Sequence, residues 1–188
     1  MVAATARELA APGDGWRALR CGVGPVEAAV ATAAAIAAER PAAILHVGVA
    51  GARRHRAFRA PAIVVGTEAR YCDLPSSLPT EWAPHAVAAD PALVAAVRRA
   101  CPDALALPIG TSARVGGTLD AAGCDVEAME GFGVLRAAQL AGVPAVEVRA
   151  IANDIEEADR ARWRLDDAFA AITALTPRLV TELLPCVS

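Results

Sequence analysis

Two elements of different periodicity lie back to back between residues 131 and 153, and this pairing limits the fold more than anything else in the chain. Gly131–Leu140 reads as a helix, and Ala145–Ala152 is a short, largely apolar run bounded by Pro144 and Asn153, the pattern of a buried strand. The same alternation runs along the whole chain. Val2–Thr5 and Trp16–Val23 are short candidate strands, and Pro25 opens a helix reaching to about Arg40 because proline suits a first helical turn. Ala42–Val49 is a strand expected to close in a tight Gly48-Val-Ala-Gly51 turn, Ala62–Ala69 is the next strand, and 72–90 is an irregular loop rich in proline and serine. Asp90-Pro91 caps a helix through about Ala100, Ala104–Val115 is strand-like, Val126 lies in a short strand, and Leu165 to about Leu184 forms a last amphipathic helix. Strands alternating with helices argue an α/β fold built on a central sheet. With no internal repeat and no linker, residues 1–188 are expected to form one domain.

Composition narrows the function classes. A net charge of −3 offers no basic surface for a nucleic-acid backbone. All eighteen basic residues are arginine, and the Arg53-Arg-His-Arg-Ala-Phe-Arg59 cluster reads as a solvated loop. The alanine-rich stretch from Pro25 to Ala52 is interrupted by Glu27, Glu39 and Arg40, so no membrane span is expected. The first residues lack the basic-then-apolar build of a signal peptide, which predicts a cytoplasmic protein. Five scattered cysteines without CxxC or Cys/His spacing predict reduced thiols and no metal site.

Individual motifs are ambiguous. Cys21-Gly-Val-Gly-Pro-Val-Glu27 begins like a dinucleotide fingerprint, but Glu27 stands where the third glycine belongs, and no acidic residue ends the next strand. A glycine turn allowing close helix–sheet packing explains it better. Glu68-Ala-Arg-Tyr-Cys-Asp73 reads alone as a salt-bridge patch, and Glu8 alone as a solvent-exposed carboxylate. Glu127 and Glu130 flank a strand-to-helix switch, where a carboxylate is favoured simply by the helix dipole, and Asn153 and Asp154 could be turn residues. Yet a carboxylate at one element end and an amide at the next can grip the sugar and the base of one nucleoside.

Taken in order, Gly22-Val-Gly24, His46-Val-Gly-Val-Ala-Gly51, Glu68-Ala-Arg-Tyr-Cys-Asp73, Val126-Glu-Ala-Met-Glu-Gly131 and Val148-Arg-Ala-Ile-Ala-Asn153 resemble the purine nucleoside phosphorylase/nucleosidase superfamily, closest to the futalosine hydrolases of menaquinone biosynthesis. The closer resemblance rests on the Val-Glu-x-Met-Glu-Gly spacing and on Glu157-Ala-Asp-Arg-Ala-Arg-Trp163. It implies a three-layer α/β fold with a mixed central sheet flanked by helices, a homodimer, no cofactor, and a small nucleoside as substrate. By the same resemblance Glu8 activates the attacking water, Glu130 binds the ribose hydroxyls with Met129 packed on the sugar, and Asn153 meets the purine N7. Glu127 and Asp154 adjoin the substrate, and Gly117 and Thr118 belong to a wall stacked on the base. Related adenine-specific nucleosidases use a protonated aspartate at the base, whereas an asparagine amide can donate two hydrogens to N7 and O6 of a 6-oxopurine. Hypoxanthine is therefore the expected leaving group. His46 and Val49 replace an arginine and a serine that commonly hold phosphate in the phosphorylases, which implies water as the nucleophile. The chain is shorter than the family pattern between Glu8 and Trp16. A methylthioadenosine-type nucleosidase, a phosphorylase and a non-catalytic nucleoside-binding relative remain open readings.

Overall fold

A computed structural model describes residues 1–11, 13–115 and 124–186. The mixed sheet holds eight strands: β1 (Val2–Ala3), β2 (Leu19–Arg20), β3 (Ile44–Ala52), β4 (Ile63–Tyr71), β5 (Ala86–Ala88), β6 (Leu105–Thr111), β7 (Val126–Ala128) and β8 (Ala145–Asp154). Four helices flank it: α1 (Pro25–Glu39), α2 (Pro91–Ala100), α3 (Gly131–Leu140) and α4 (Leu165–Leu183). β8 runs parallel to β3 and antiparallel to β4, β4 pairs in parallel with β6, and β6 pairs in parallel with β7. Because the end of β3 pairs antiparallel with β7 at Gly51 and Ala52, these five strands close into a ring. The ring brings the ends of β3, β7 and β8 to one place.

Local signals explain most element ends. The Asp90 side chain accepts from the amides of Ala92 and Leu93 at 2.9 and 3.0 Å, with Pro91 next in the first turn of α2. α1 starts at Pro25 behind Gly24, whose φ of +97° no side-chain-bearing residue adopts readily. Pro41 follows its end. Gly133 lets α3 lie against α1, since a Cβ there would collide with the Pro25 carbonyl and stand 3.1 Å from the Ala29 amide nitrogen. Val146 and Val148 of β8 pack with Val47 of β3, Val134 and Leu135 of α3 and Ile172 and Leu179 of α4 in one core, all essentially without solvent access.

Three expectations need correction. β3 does not stop at Val49 in a tight glycine turn but continues to Ala52, because paired strands on both sides hold it extended, with a bulge between Ala50 and Gly51. The loop 72–90 contains a short strand, β5, held by β4. The basic stretch is not uniformly solvated, since Arg53 is only 16% exposed and ion-pairs with Glu127. Glu68 does form the anticipated surface ion pair, with Arg70 at 2.5 Å. All five cysteines are free thiols. Among the described residues, no helix is long and apolar enough to cross a membrane.

Candidate active site

Where β3, β7 and β8 end together they open a cavity of about 220 Å³. Glu8, Val49, Glu127, Met129, Glu130 and Asn153 all line it. Residues far apart in sequence meet here because the ring closes the sheet. The first two turns of α4 supply Leu165 and Phe169, and Trp163 just before it adds an indole. A second cavity of about 270 Å³, under β1 and α1, is walled by Met1, Trp16, Ile36 and Leu184 and gathers no comparable set of carboxylates.

Glu8 ends a short helical turn at Ala6–Glu8 and is buried, contrary to the exposure expected of a lone glutamate. Its Oε2 accepts from the amide and hydroxyl of Thr5, both at 2.8 Å, and its Oε1 accepts from the Val49 amide at 3.3 Å. Three donors hold the carboxylate in one orientation with its charge shared among them. Glu130 stands at the start of α3 but makes no side-chain capping bond. Its Oε1 accepts from the Gly24 amide at 3.2 Å, and its Oε2 accepts from Arg149 Nη2 at 3.2 Å. The glycine turn before α1 therefore also serves as a carboxylate anchor.

Behind these two carboxylates lies a network in which sequence reading assigned no role to Glu147 or Arg149. Arg149 has no solvent access. Its Nε donates to Glu147 Oε1 at 2.7 Å, Nη2 to His46 Nε2 at 2.5 Å, and Nη1 to the Val49 carbonyl at 3.4 Å. His46 Nδ1 lies 3.1 Å from the Val2 carbonyl, which can only accept, so Nδ1 carries the proton and Nε2 receives one from Arg149. Burial, then the adjacent guanidinium, holds the His46 pKa well below its ordinary value, consistent with a neutral ring. Burial alone would lower the pKa of Arg149, yet Glu147, Glu130 and Glu8 outweigh it and raise it. Glu147 shifts upward through burial, opposed by Arg149. Gly48 leaves room for the meeting, since a Cβ there would collide with the Arg149 guanidinium and lie 2.8 Å from Glu8 Oε1. The available sequence signal was two opposite charges, Glu147 and Arg149, spaced for one face inside an otherwise apolar strand.

The remaining candidates divide. Glu127 is buried at the cavity wall and ion-paired to Arg53. Asn153 Nδ2 donates one hydrogen to the Asp154 carbonyl at 2.9 Å, leaving a second hydrogen and Oδ1 for other partners. Asp154 does not line the cavity. Its carboxylate turns outward, 44% exposed, to Arg54 Nε at 3.2 Å. Gly117 and Thr118 lie outside the described residues. No group of three or more potential metal ligands occurs among the described residues.

Comparisons with known proteins agree with this architecture. Residues 13–117 match the Phosphorylase superfamily. A futalosine hydrolase from Streptomyces coelicolor is 48% identical over 61 residues, covering 32% of this chain and 26% of that protein. A futalosine hydrolase from Thermus thermophilus is 31% identical across 90% of this chain and 83% of its own length. Among solved structures, the native futalosine hydrolase of Helicobacter pylori superposes with a TM-score of 0.83 at 16% identity, covering 97% of this chain and 96% of that one. The 5′-methylthioadenosine/S-adenosylhomocysteine nucleosidase of Colwellia psychrerythraea, in complex with adenine, superposes with a TM-score of 0.81 at 19% identity, covering 97% and 93%. At those identities the two structures speak for the fold alone, but the sequence match extends over more than half of the chain and the Thermus relative spans nearly all of it. The chain belongs to the phosphorylase superfamily of nucleoside phosphorylases and nucleosidases.

Proposed function

We propose that this chain hydrolyses the N-glycosidic bond of a purine nucleoside, that its substrate is futalosine, and that the leaving base is hypoxanthine. The observation carrying the proposal is that Glu8, Glu130 and Asn153 line one cavity, with Met129 and Val49 in the same wall. Glu8 lines the cavity with its carboxylate held by Thr5 and by the Val49 amide. A water that donates a hydrogen bond to Glu8 turns a lone pair toward the anomeric carbon, and Glu8 takes its proton as the new bond to carbon forms. Glu130, steadied by Gly24 and Arg149, anchors the ribose hydroxyls. Binding energy remote from the breaking bond then fixes the reacting geometry. As the bond breaks through an oxocarbenium-like state, an Asn153 N–H stabilises charge building on the base. No step needs a metal or an organic cofactor.

Water is favoured over phosphate for a local reason. Val49 brings only an isopropyl group to the wall. Four Arg149 N–H bonds are committed to Glu147, His46, Glu130 and the Val49 carbonyl. A phosphate dianion would also sit beside the carboxylates of Glu8 and Glu130, where repulsion outweighs what one remaining N–H could return.

One observation favours a second reading of the base. With one Nδ2 hydrogen held by the Asp154 carbonyl, Asn153 can give its other hydrogen to N7 and accept an adenine amino group at Oδ1. A 6-oxopurine takes both hydrogens only by displacing that local bond. The amide therefore discriminates by exchange of one hydrogen bond and not by exclusion, and the futalosine assignment leans on the two sequence relatives, from Streptomyces coelicolor and Thermus thermophilus, that bear that name. We further propose a homodimer, supported by the exposed Val23, which lines the cavity, and the exposed Val26 and Val30 on α1, to be checked by light scattering. The deciding assay offers purified protein futalosine, methylthioadenosine and inosine, each with and without phosphate, and follows the released base by chromatography. Phosphate-independent release of hypoxanthine from futalosine supports the proposal, and preferential release of adenine overturns the base assignment. Tight nucleoside binding without turnover would mark a non-catalytic relative.

A further inference from the structure

Glu147 is a buried charged group behind the site for which this mechanism has no use. It occupies β8 opposite His46 of β3 and has no solvent access. One carboxylate oxygen receives Arg149 Nε, while the other, Oε2, has no hydrogen-bond partner among the described residues. Leaving a buried carboxylate oxygen unpaired is costly, and an apolar residue of similar volume is often as stable. The carboxyl group is wedged beneath the start of α3, where a Cβ on Gly131 would collide with it. Position 131, next to Glu130, is thus kept bare to admit this side chain.

The geometry gives the wedge a purpose. A guanidinium is a planar fork whose edges are fixed relative to one another. Once Glu147 takes Nε–H, the Nη2 edge must face Glu130 and His46, and Nη1 must face the Val49 carbonyl and the space near Glu8. Building on the nucleosidase reading above, we propose that Glu147 is a positioning residue that sets the rotation of the Arg149 fork, and through it the placement of Glu130 and of the Val49 backbone whose amide holds Glu8. It touches neither substrate nor water. The charged or titratable groups around it are Arg149 on its own strand, Glu130 before α3 and His46 on β3. What it must supply is an acceptor at the right reach, more than a charge.

Reach and charge separate in two conservative variants. E147Q keeps the length and an acceptor oxygen while losing the charge, and E147D keeps the charge while shortening the arm by one methylene. With activity expressed per folded protein, E147Q should hold kcat within about three-fold of wild type. E147D should lose ten-fold or more, with KM changing less than about three-fold in both. A second readout needs no turnover. The ¹⁵N resonance of His46 Nε2, which accepts from Arg149 in the wild type, should stay in place in E147Q and move toward the unbonded position in E147D. Equal kcat in both variants and wild type, or losses that track only the folded fraction while the His46 signal is unmoved, would overturn the role. If the wild type cleaves no nucleoside, the nucleosidase reading fails. The His46 signal still decides whether Glu147 orients Arg149.

Discussion

Replacing Arg149 with methionine should damage stability and activity together, and the loss of stability should depend on pH. The side chain has no solvent access and makes four hydrogen bonds, to Glu147, Glu130, His46 and the Val49 carbonyl. Methionine fills similar length but leaves Glu147 and Glu130 as buried carboxylates without their countercharge. Breaking a buried pair by deleting one partner costs about 3–5 kcal/mol, which in a domain of this size lowers Tm by roughly 6–20 °C. Glu147 already has a raised pKa in the folded protein, through burial, and Arg149 is the main influence opposing that rise. In R149M it rises further. A carboxyl group whose folded pKa exceeds its unfolded value contributes stability fully below the unfolded pKa and loses it as pH climbs through the folded one. The Tm deficit of R149M should therefore shrink on acidification and widen toward alkaline pH. Thermal melts of both proteins by circular dichroism, at several pH values between 5 and 8.5, measure this directly. A deficit that is absent, or constant across that range, would refute the claim that Arg149 neutralises buried carboxylates.

Three further outcomes follow from the same geometry. Glu8→Gln should lower kcat by about 10²–10⁴-fold, the usual contribution of a positioned base, with circular dichroism unchanged. Turnover within ten-fold of wild type in a steady-state assay would remove Glu8 from water activation. Gly131→Ala should cost ten-fold or more in kcat and lower Tm, because its methyl group enters the space of the Glu147 carboxyl; an unaltered enzyme would show that the wedge yields freely. Asn153→Asp should shift base preference toward adenine nucleosides, while Asp154→Asn should change kcat/KM less than two-fold, since its exposed ion pair with Arg54 contributes at most about 1 kcal/mol. Competition between hypoxanthine and adenine nucleosides reads both, and a large effect at 154 would reverse the assignment of the two neighbours.

Much of the fold was open to a reading of residues alone. The bounds of α3, the Asp90 cap of α2 and the Pro25 start of α1 all follow from signals a few residues long. The family resemblance grouped Glu8, Val49, Met129, Glu130 and Asn153, and all five line one cavity because the closed sheet brings together the elements that carry them. Some features could not be read this way. Gly48 through Gly51 look like a turn, since local glycine content says nothing of the strands that pair on either side and keep β3 extended. The Glu8 burial and the Gly24 amide on Glu130 need partners 41 and 106 residues away.

By itself, then, the order of residues determined the class of fold, the starts of the capped helices and the set of polar groups available for chemistry, because propensity, capping and hydrophobic period are local properties. Only the closed sheet decided which of those groups face one another. A bulge where Ala50 pairs with Ile151 and Gly51 with Asn153 breaks the two-residue alternation, so which of Asn153 and Asp154 enters the cavity cannot be counted along the strand. Likewise, Glu147 and Arg149 are two charges in an apolar run until β3, α3 and the Glu8 turn surround them. Burial then turns an ordinary ion pair into a fixed fork, since desolvated charges hold the one geometry that keeps them paired.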